Sequence, residues 1–203
     1  ALFRERLGYD YLGNFEEREE NNNVEEVYLR SFLLRSGHSE TLIGKAIEKL
    51  KKCTNRPQMS LYDLNKETYS LLRYSAKERE KLGEHKQDVE FIDWEHPENN
   101  HFAIAEEVTI KGNRTKRPDI VLYVNGIAVG VIELKRSIVS VSEGIRQNIG
   151  NQKEEFIKTF FGTIQLVMAG NDTEGLRYGT TETPEQHYLS WKETGLGSES
   201  RLD

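Results

Sequence analysis

Hydrophobic positions follow a helical period over the first third of the chain. Between residues 24 and 72 they recur every three to four positions, which predicts three amphipathic helices. The first is expected over residues 24–35. Ser39 is placed to cap the second helix and Ser60 the third, because serine side chains accept hydrogen bonds from the free N–H groups of a first helical turn.

From Val89 onward the pattern changes to short apolar runs rich in β-branched residues, separated by turn residues. Asn125-Gly126 is the strongest turn signal among them. Ser140 opens a Ser-x-x-Glu capping pattern. In chain order the predicted elements are a strand near residues 89–94, a strand over 102–110, a hairpin over 117–136, a helix from Ser140 to about Phe161, a buried strand over 164–169, an edge strand over 176–180 and a helix beginning at Pro184.

This order, helices first and then β-β-β-α-β, predicts an α/β (α+β) fold in which helices flank a mixed sheet. Residues 76–87 are charged and expected to be exposed. The chain begins with Ala1 rather than Met, so we expect it to be a piece of a longer protein. The predicted division is an irregular, aromatically anchored arm over 1–22, an α-helical part over 23–87, a core over 88–194 and a tail over 195–203.

Composition is typical of a folded domain outside membranes. The 203 residues are 36% hydrophobic and 31% charged, enough to build a core of their own. No apolar run approaches the roughly 20 residues that a membrane helix needs, and no secretory signal opens the chain. The single cysteine, Cys53, excludes a disulfide framework and a cysteine-based zinc site, and favours a reducing, cytoplasmic setting.

Charge narrows the possible functions further. The net charge is −6 and the pI about 5.5, which excludes a protein that grips nucleic acid through a broadly basic surface. A chain of this kind that acts on DNA needs metal ions to offset its acidity locally, or another domain or subunit to supply the affinity.

Three polar residues stand in the predicted hairpin where packing alone would not place them: Asp119, Glu133 and Lys135. Strand side chains alternate between faces, so Glu133 and Lys135 share one face. Two converging carboxylates repel each other unless they share a cation, and oxygen ligands suit Mg²⁺ or Mn²⁺. A neighbouring lysine can position water or stabilise charge on a phosphate, which predicts phosphodiester hydrolysis. The competing interpretation is that all three are solvated strand ends.

The register of the hairpin tests this interpretation. With a strict two-residue loop at Asn125-Gly126, Asp119 lies opposite Ile132 and on the other face from Glu133. With a three-residue loop or a bulge, Asp119 lies opposite Glu133. We therefore predict that the hairpin is not a simple two-residue one.

The stretch RPDIVLYVNGIAVGVIELK resembles the PD-(D/E)xK nuclease superfamily, and more closely the N-terminal domain of the endonuclease (R) subunit of type I restriction enzymes. GYDYLG, HPENNHF and TIQLVMAGNDTEGLRYGTTETPEQHYLSWK extend the resemblance over most of the chain. It implies a restriction-endonuclease-like core over residues 88–194. It also implies that Asp119, Glu133 and the backbone carbonyl of Leu134 bind the metal, and that Lys135 is the catalytic lysine.

The resemblance also points to further candidates. Gln147 fits the first position of a Q-x-x-x-Y motif that R subunits carry on the helix after the lysine, but Asn151 stands at the tyrosine position. The superfamily often has a glutamate on the helix before the core. Glu25 or Glu26 is similar in place, and a solvated helical glutamate is an equally good interpretation. The arginines placed either to contact phosphate or simply to be exposed are Arg117, Arg136 and Arg146.

The wider setting is likewise implied by the resemblance. It implies a Mg²⁺- or Mn²⁺-dependent DNA endonuclease whose partners are methyltransferase (M) and specificity (S) subunits and its own C-terminal helicase-like motor domains. ATP and S-adenosylmethionine would serve the complete enzyme, since the sequence lacks a G-x-x-x-x-G-K-[ST] loop. The alternative is a nuclease-like fold kept as a docking or regulatory module. The intact set of Asp119, Glu133 and Lys135 favours the enzyme.

Overall fold

The computed structural model describes residues 2–192. Within that range the strands are β1 (Asp10–Asn14), β2 (Ala76–Glu78), β3 (Gln87–Val89), β4 (Phe102–Glu106), β5 (Ile120–Val124), β6 (Ile127–Leu134), β7 (Leu166–Asn171), β8 (Gly175–Gly179) and β9 (Leu189–Ser190). The α-helices are α1 (Glu26–Arg35), α2 (Glu40–Thr54), α3 (Leu61–Tyr74) and α4 (Val141–Asn151). Shorter helical turns lie at Leu2–Arg6, Pro97–Asn99, Lys158–Gly162 and Glu185–His187.

The strands form one seven-stranded sheet in the order β1-β4-β5-β6-β7-β8-β9 and a separate β2-β3 ribbon. Two neighbouring pairs in the large sheet are parallel, β1 with β4 and β6 with β7, and the others are antiparallel. The predicted mixed sheet flanked by helices is therefore confirmed. None of the described helices is long and apolar enough to cross a membrane.

Two hydrophobic clusters hold the helices to the sheet. The first joins β4 to β7 with α4 and the turn Lys158–Gly162, and its members include Val131, Ile145 and Phe161. The second packs the N-terminal helices around the turn end of the β5-β6 hairpin, where Ile127 is fully buried. The hairpin is thus fixed at its turn by one cluster and along its length by the other, which leaves its open end free to carry polar groups.

The predicted helix starts agree with the structure at α2 and α3. Ser39 Oγ accepts from the Leu42 N–H at 3.3 Å, and Ser60 Oγ accepts from the Asp63 N–H at 3.0 Å. Helix α1 begins two residues later than predicted, because Val24 forms an antiparallel bridge with Ile127 of the hairpin.

Some predicted elements differ from the structure. The arm over 1–22 is not irregular, since β1 pairs with β4 and the Phe15 N–H donates to the Glu106 carbonyl at 2.8 Å. Residues 76–87 are largely exposed, as expected, although they contain β2 and the start of β3 and Ala76 is fully buried. The edge strand predicted over 176–180 is covered by β9.

Helix α4 is also shorter than predicted. It ends at Asn151 instead of about Phe161, because the Ile157 N–H donates to the Asn151 carbonyl at 3.2 Å and turns the chain back toward the core. The apolar residues beyond it reach the core from the turn Lys158–Gly162. The helix predicted from Pro184 is the single turn Glu185–His187, and the predicted tail over 195–203 lies outside the described residues.

Candidate active site

The hairpin turn is a buried two-residue loop. Asn125 and Gly126 have φ of +50° and +80°, as the type I′ turn of a tight hairpin requires, and Val124 pairs with Ile127 across it. The Asn125 side chain is fully buried and accepts from the His101 N–H at 2.8 Å. The turn is therefore anchored to the β4 side of the sheet as well as to its own strands.

A bulge at Val129 then changes the register. Tyr123 pairs with Ala128, but Leu122 pairs with Gly130, so β6 carries one more residue than β5 over this stretch. Ile120 consequently pairs with Ile132, and the next step brings Asp119 opposite Glu133. The prediction that the hairpin is not a simple two-residue one is confirmed, through a bulge and not through a longer loop.

The open end of the hairpin gathers the side chains of four predicted site residues and the backbone of a fifth, Leu134. Asp119 Oδ2 accepts from the Leu134 N–H at 2.6 Å. Gln147 Nε2 donates to Glu133 Oε2 at 2.7 Å, and Lys135 Nζ donates to Gln147 Oε1 at 2.8 Å. Lys135 Nζ lies 3.8 Å from Glu133 Oε2, a charge contact longer than a hydrogen bond. The side chains of Lys135, Gln147 and Glu133 thus form a continuous chain beside Asp119.

Glu133 is the unusual member of this group. Its side chain has no solvent exposure, and its Oε1 has no hydrogen-bond partner among the described residues. Burial, and then the negative charge of Asp119, raise the pKa of Glu133 to about 8. A buried carboxylate close to a second carboxylate is costly unless a cation or a proton is shared between them.

Helix α4 lies close to the site because of Gly144. A Cβ at this position would stand 3.0 Å from the Ala169 Cβ and 3.5 Å from both the Glu133 Cβ and the Lys135 Cε. The helix can therefore approach the hairpin closely enough for Gln147, one turn later, to reach Glu133 and Lys135 at once.

Glu25 and Glu26, for which the sequence left both a site role and a solvated helical position open, do not lie at this site. The Glu25 N–H donates to the Gly126 carbonyl at 2.7 Å, and its side chain pairs with Arg18 at 2.7 Å. That places it at the turn end of the hairpin, about 20 Å of strand away from Glu133. Glu26 pairs with Lys51 on the helical side.

Two of the candidate arginines form ion pairs with glutamates. Arg117 is held by Glu16 and by Glu107, the latter at 2.8 Å from its Nε. Arg146 is held by Glu185 at 2.9 Å and by Glu143 at 3.1 Å. Arg136 is exposed and forms no ion pair within residues 2–192.

Sequence reasoning missed Glu107. This residue follows β4 with φ of +52°, its N–H donates to the Asp119 carbonyl at 2.8 Å, and its charge contributes to the raised pKa of Glu133. The signal for it was weak, since a Glu-Glu pair directly after an apolar run is usually a solvated strand end. Its place beside Asp119 depends on the pairing of β4 with β5.

A comparison of the sequence with models of known protein families identifies the family of this chain. Residues 1–186 match the family described as type I restriction enzyme R protein N terminus. The chain belongs to this family. The match covers the whole of the large sheet up to the turn before β9, so the hairpin site lies within the R protein N-terminal domain.

Individual relatives are endonuclease subunits of the same class. The type I restriction enzyme HindI endonuclease subunit of Haemophilus influenzae is 27% identical over 149 residues, 70% of this chain and 14% of that protein. The SsaAORF53P endonuclease subunit of Staphylococcus saprophyticus is 27% identical over 107 residues, 52% of this chain and 11% of that protein. The chain therefore spans a small fraction of the length of these relatives.

The R protein N-terminal site offers a limited set of metal donors. Residues 2–192 contain no group of three or more His, Cys, Asp or Glu side chains arranged to hold a metal ion. Asp119 and Glu133 provide the carboxylates. The Leu134 carbonyl points to the same side of β6 as its N–H, which bonds Asp119, because both groups of one strand residue face the same neighbour.

Proposed function

We propose that this chain is the nuclease domain of a type I restriction enzyme R subunit, and that it hydrolyses DNA phosphodiester bonds with a bound divalent cation. One observation carries the proposal: the fully buried Glu133 Oε1 has no partner and belongs to a carboxylate whose pKa is raised by burial and by Asp119. Glu133 accepts a hydrogen bond only at Oε2, from Gln147, so Oε1 is available to a cation.

The donor set fits Mg²⁺ or Mn²⁺. Asp119, Glu133 and the Leu134 carbonyl supply only oxygen atoms, the ligands that hard cations prefer. Such ions commonly take one or two carboxylates and complete their shell with water and substrate phosphate, so a site with two carboxylates is sufficient. When bound, the cation polarises a phosphate and lowers the pKa of the attacking water.

The other residues act around this centre. Lys135 presents an ammonium group whose direction is set by Gln147 Oε1 at 2.8 Å. From there it can stabilise negative charge that develops on the phosphate as the P–O bond breaks. Gln147 also donates to Glu133 at 2.7 Å, so one amide orients both the lysine and the carboxylate. We infer that Gln147 is a positioning residue and Lys135 the catalytic one.

Other subunits or domains are needed to select the DNA that is cut. The net charge of −6 does not provide strong DNA affinity, so DNA must be presented by the rest of the complex. We propose that the methyltransferase and specificity subunits choose the DNA, with S-adenosylmethionine, and that ATP-driven motor domains of the same polypeptide deliver it.

Alanine substitution of Asp119, Glu133 or Lys135 in the assembled enzyme tests the proposal. DNA cleavage and ATP hydrolysis are measured separately for each variant. We expect cleavage to be lost and ATP hydrolysis to continue, because the site acts on the phosphodiester and not on the nucleotide. Glu19→Ala is the matched control, since Glu19 is exposed and makes no side-chain contact to the described residues of the site.

Two outcomes would contradict the proposal. Cleavage that survives all three substitutions would place the catalytic centre elsewhere. Loss of ATP hydrolysis or of subunit assembly together with cleavage would instead favour the docking or regulatory module, in which the carboxylates serve communication with the motor.

A further inference from the structure

A tight turn connects the candidate catalytic lysine to α4. The Val139 N–H donates to the Arg136 carbonyl at 2.8 Å, which closes a four-residue turn with Ser137 and Ile138 at its centre. Ile138 is 91% exposed. A β-branched apolar residue is unusual here, because central turn positions are commonly taken by Gly, Asn, Asp, Ser or Pro.

This turn is held firmly from the neighbouring connection between β7 and β8. Side chains from the end of β7 and from that connection bond the main chain within the turn and just after it. The contacts are Asn171 Nδ2 to the Val139 carbonyl at 2.8 Å, Thr173 Oγ1 to the Ser137 carbonyl at 3.2 Å, and the Val141 N–H to Glu174 Oε1 at 3.0 Å. The turn that exposes Ile138 to solvent is therefore fixed by hydrogen bonds from the neighbouring segment.

The position of Ile138 relates it to the reaction. It follows Lys135 by three residues and lies in the same turn as Arg136, an exposed cation with no ion pair among the described residues. The turn that follows Lys135 thus combines one exposed apolar side chain with one exposed cation. A DNA strand offers matching groups, phosphates for the cation and deoxyribose or base edges for the apolar side chain.

We propose that Ile138 packs against the deoxyribose and base edges of the DNA next to the scissile phosphate, while Arg136 contacts a neighbouring phosphate. The inference rests on the nuclease function proposed above. The Ile138 contact positions the DNA, because a fixed apolar contact on one side of the phosphate sets where the DNA backbone lies relative to Lys135. The free charge of Arg136 favours DNA over an apolar protein surface as the group that covers Ile138.

Substitution of Ile138 in the assembled enzyme tests the contact. We expect Ile138→Ser to lower the rate of DNA cleavage about tenfold, a change of about 1.4 kcal/mol in activation free energy, with ATP hydrolysis unchanged. Ile138→Leu should restore most of the rate, since it keeps the apolar volume. Leu82→Ser is the matched control, because Leu82 is 98% exposed and lies in the β2-β3 connection.

Photocrosslinking gives a readout that a purely structural role would not change. A benzophenone amino acid at position 138 should crosslink to DNA, and the same amino acid at position 82 should not. Crosslinks from position 138 to protein alone, or loss of ATP hydrolysis in Ile138→Ser, would show that another subunit or domain covers Ile138 and would overturn the inference.

The inference and the proposed function fail in different ways. If the alanine variants of Asp119, Glu133 and Lys135 all retain cleavage, the nuclease assignment is wrong. If Lys135→Ala abolishes cleavage while Ile138→Ser cuts DNA at the unmodified rate, the nuclease assignment stands and the role of Ile138 is wrong.

Discussion

Glu133→Gln should stabilise the metal-free protein, and by an amount that grows with pH. The native carboxyl has a pKa of about 8 against an ordinary value of 4.5, because it is buried beside Asp119. Between these two values the unfolded chain has released the proton and the native chain still holds it. The native state then binds more protons, so its stability falls as pH rises through this window and levels off above pH 8.

The size of the effect follows from the shift. Each pKa unit corresponds to about 1.36 kcal/mol, so the wild-type protein should lose about 3 kcal/mol of unfolding free energy between about pH 5 and about pH 7.5 from this one group. Glutamine does not titrate. The difference in unfolding free energy between Glu133→Gln and wild type should therefore increase by the same amount over that range.

Urea denaturation in the presence of a chelator, at several pH values, measures this difference. Glu19→Gln is the control, since Glu19 is an exposed glutamate and its removal should leave the pH dependence unchanged. Excess Mg²⁺ should reduce the difference, because a cation replaces the shared proton. A difference that stays constant from acid to neutral pH would refute the claim that burial beside Asp119 raises the pKa of Glu133.

Two further predictions concern the turn and the helix that frame the site. Gly126→Ala should cost about 2 kcal/mol or more in a urea melt, because a Cβ there would overlap the Glu25 carbonyl and φ is +80°. Gly37→Ala, with φ of +86° and open space around it, should cost less, and equal costs would contradict the overlap. Gln147→Leu should lower DNA cleavage about 10- to 100-fold while ATP hydrolysis continues, since it breaks the link between Lys135 and Glu133. Unchanged cleavage in this variant would remove Gln147 from the site.

The hairpin was predictable because its signals are local. Asn125-Gly126 supplies the two positive φ values of a tight turn, and the flanking apolar runs supply the strands. For the bulge at Val129, the sequence predicted only that some change of register must occur, because Asp119 has to lie opposite Glu133. Its position depends on a neighbour distant in sequence, since the Gln165 N–H donates to the Val129 carbonyl at 2.8 Å.

Tertiary placement explains what sequence reasoning missed at the site. Glu25 stands on the helix side where a superfamily glutamate is expected, but the bond of its N–H to Gly126 fixes it at the turn end of the hairpin. Glu107 reaches the open end instead, because the pairing of β4 with β5 brings it beside Asp119. Neither placement follows from periodicity or from spacing along the chain.

The N-terminal segment shows the same limit in the fold. Strand β1 lies at the edge of the large sheet and has no alternation of apolar and polar residues, so its sequence predicted an irregular arm. Its pairing with β4 is a long-range contact. The length of α4 was overestimated for a related reason, because the apolar spacing continues past Asn151 although the chain bends there.

The central claim is that Asp119 and Glu133 hold the cation that cleavage requires, and Mn²⁺ binding to the 203-residue chain, followed by electron paramagnetic resonance, tests it most directly. We expect one Mn²⁺ per chain for the wild type and for Glu19→Gln, displaced by excess Mg²⁺, and strongly weakened binding for Asp119→Asn and Glu133→Gln. Equal Mn²⁺ binding by all four proteins would contradict it.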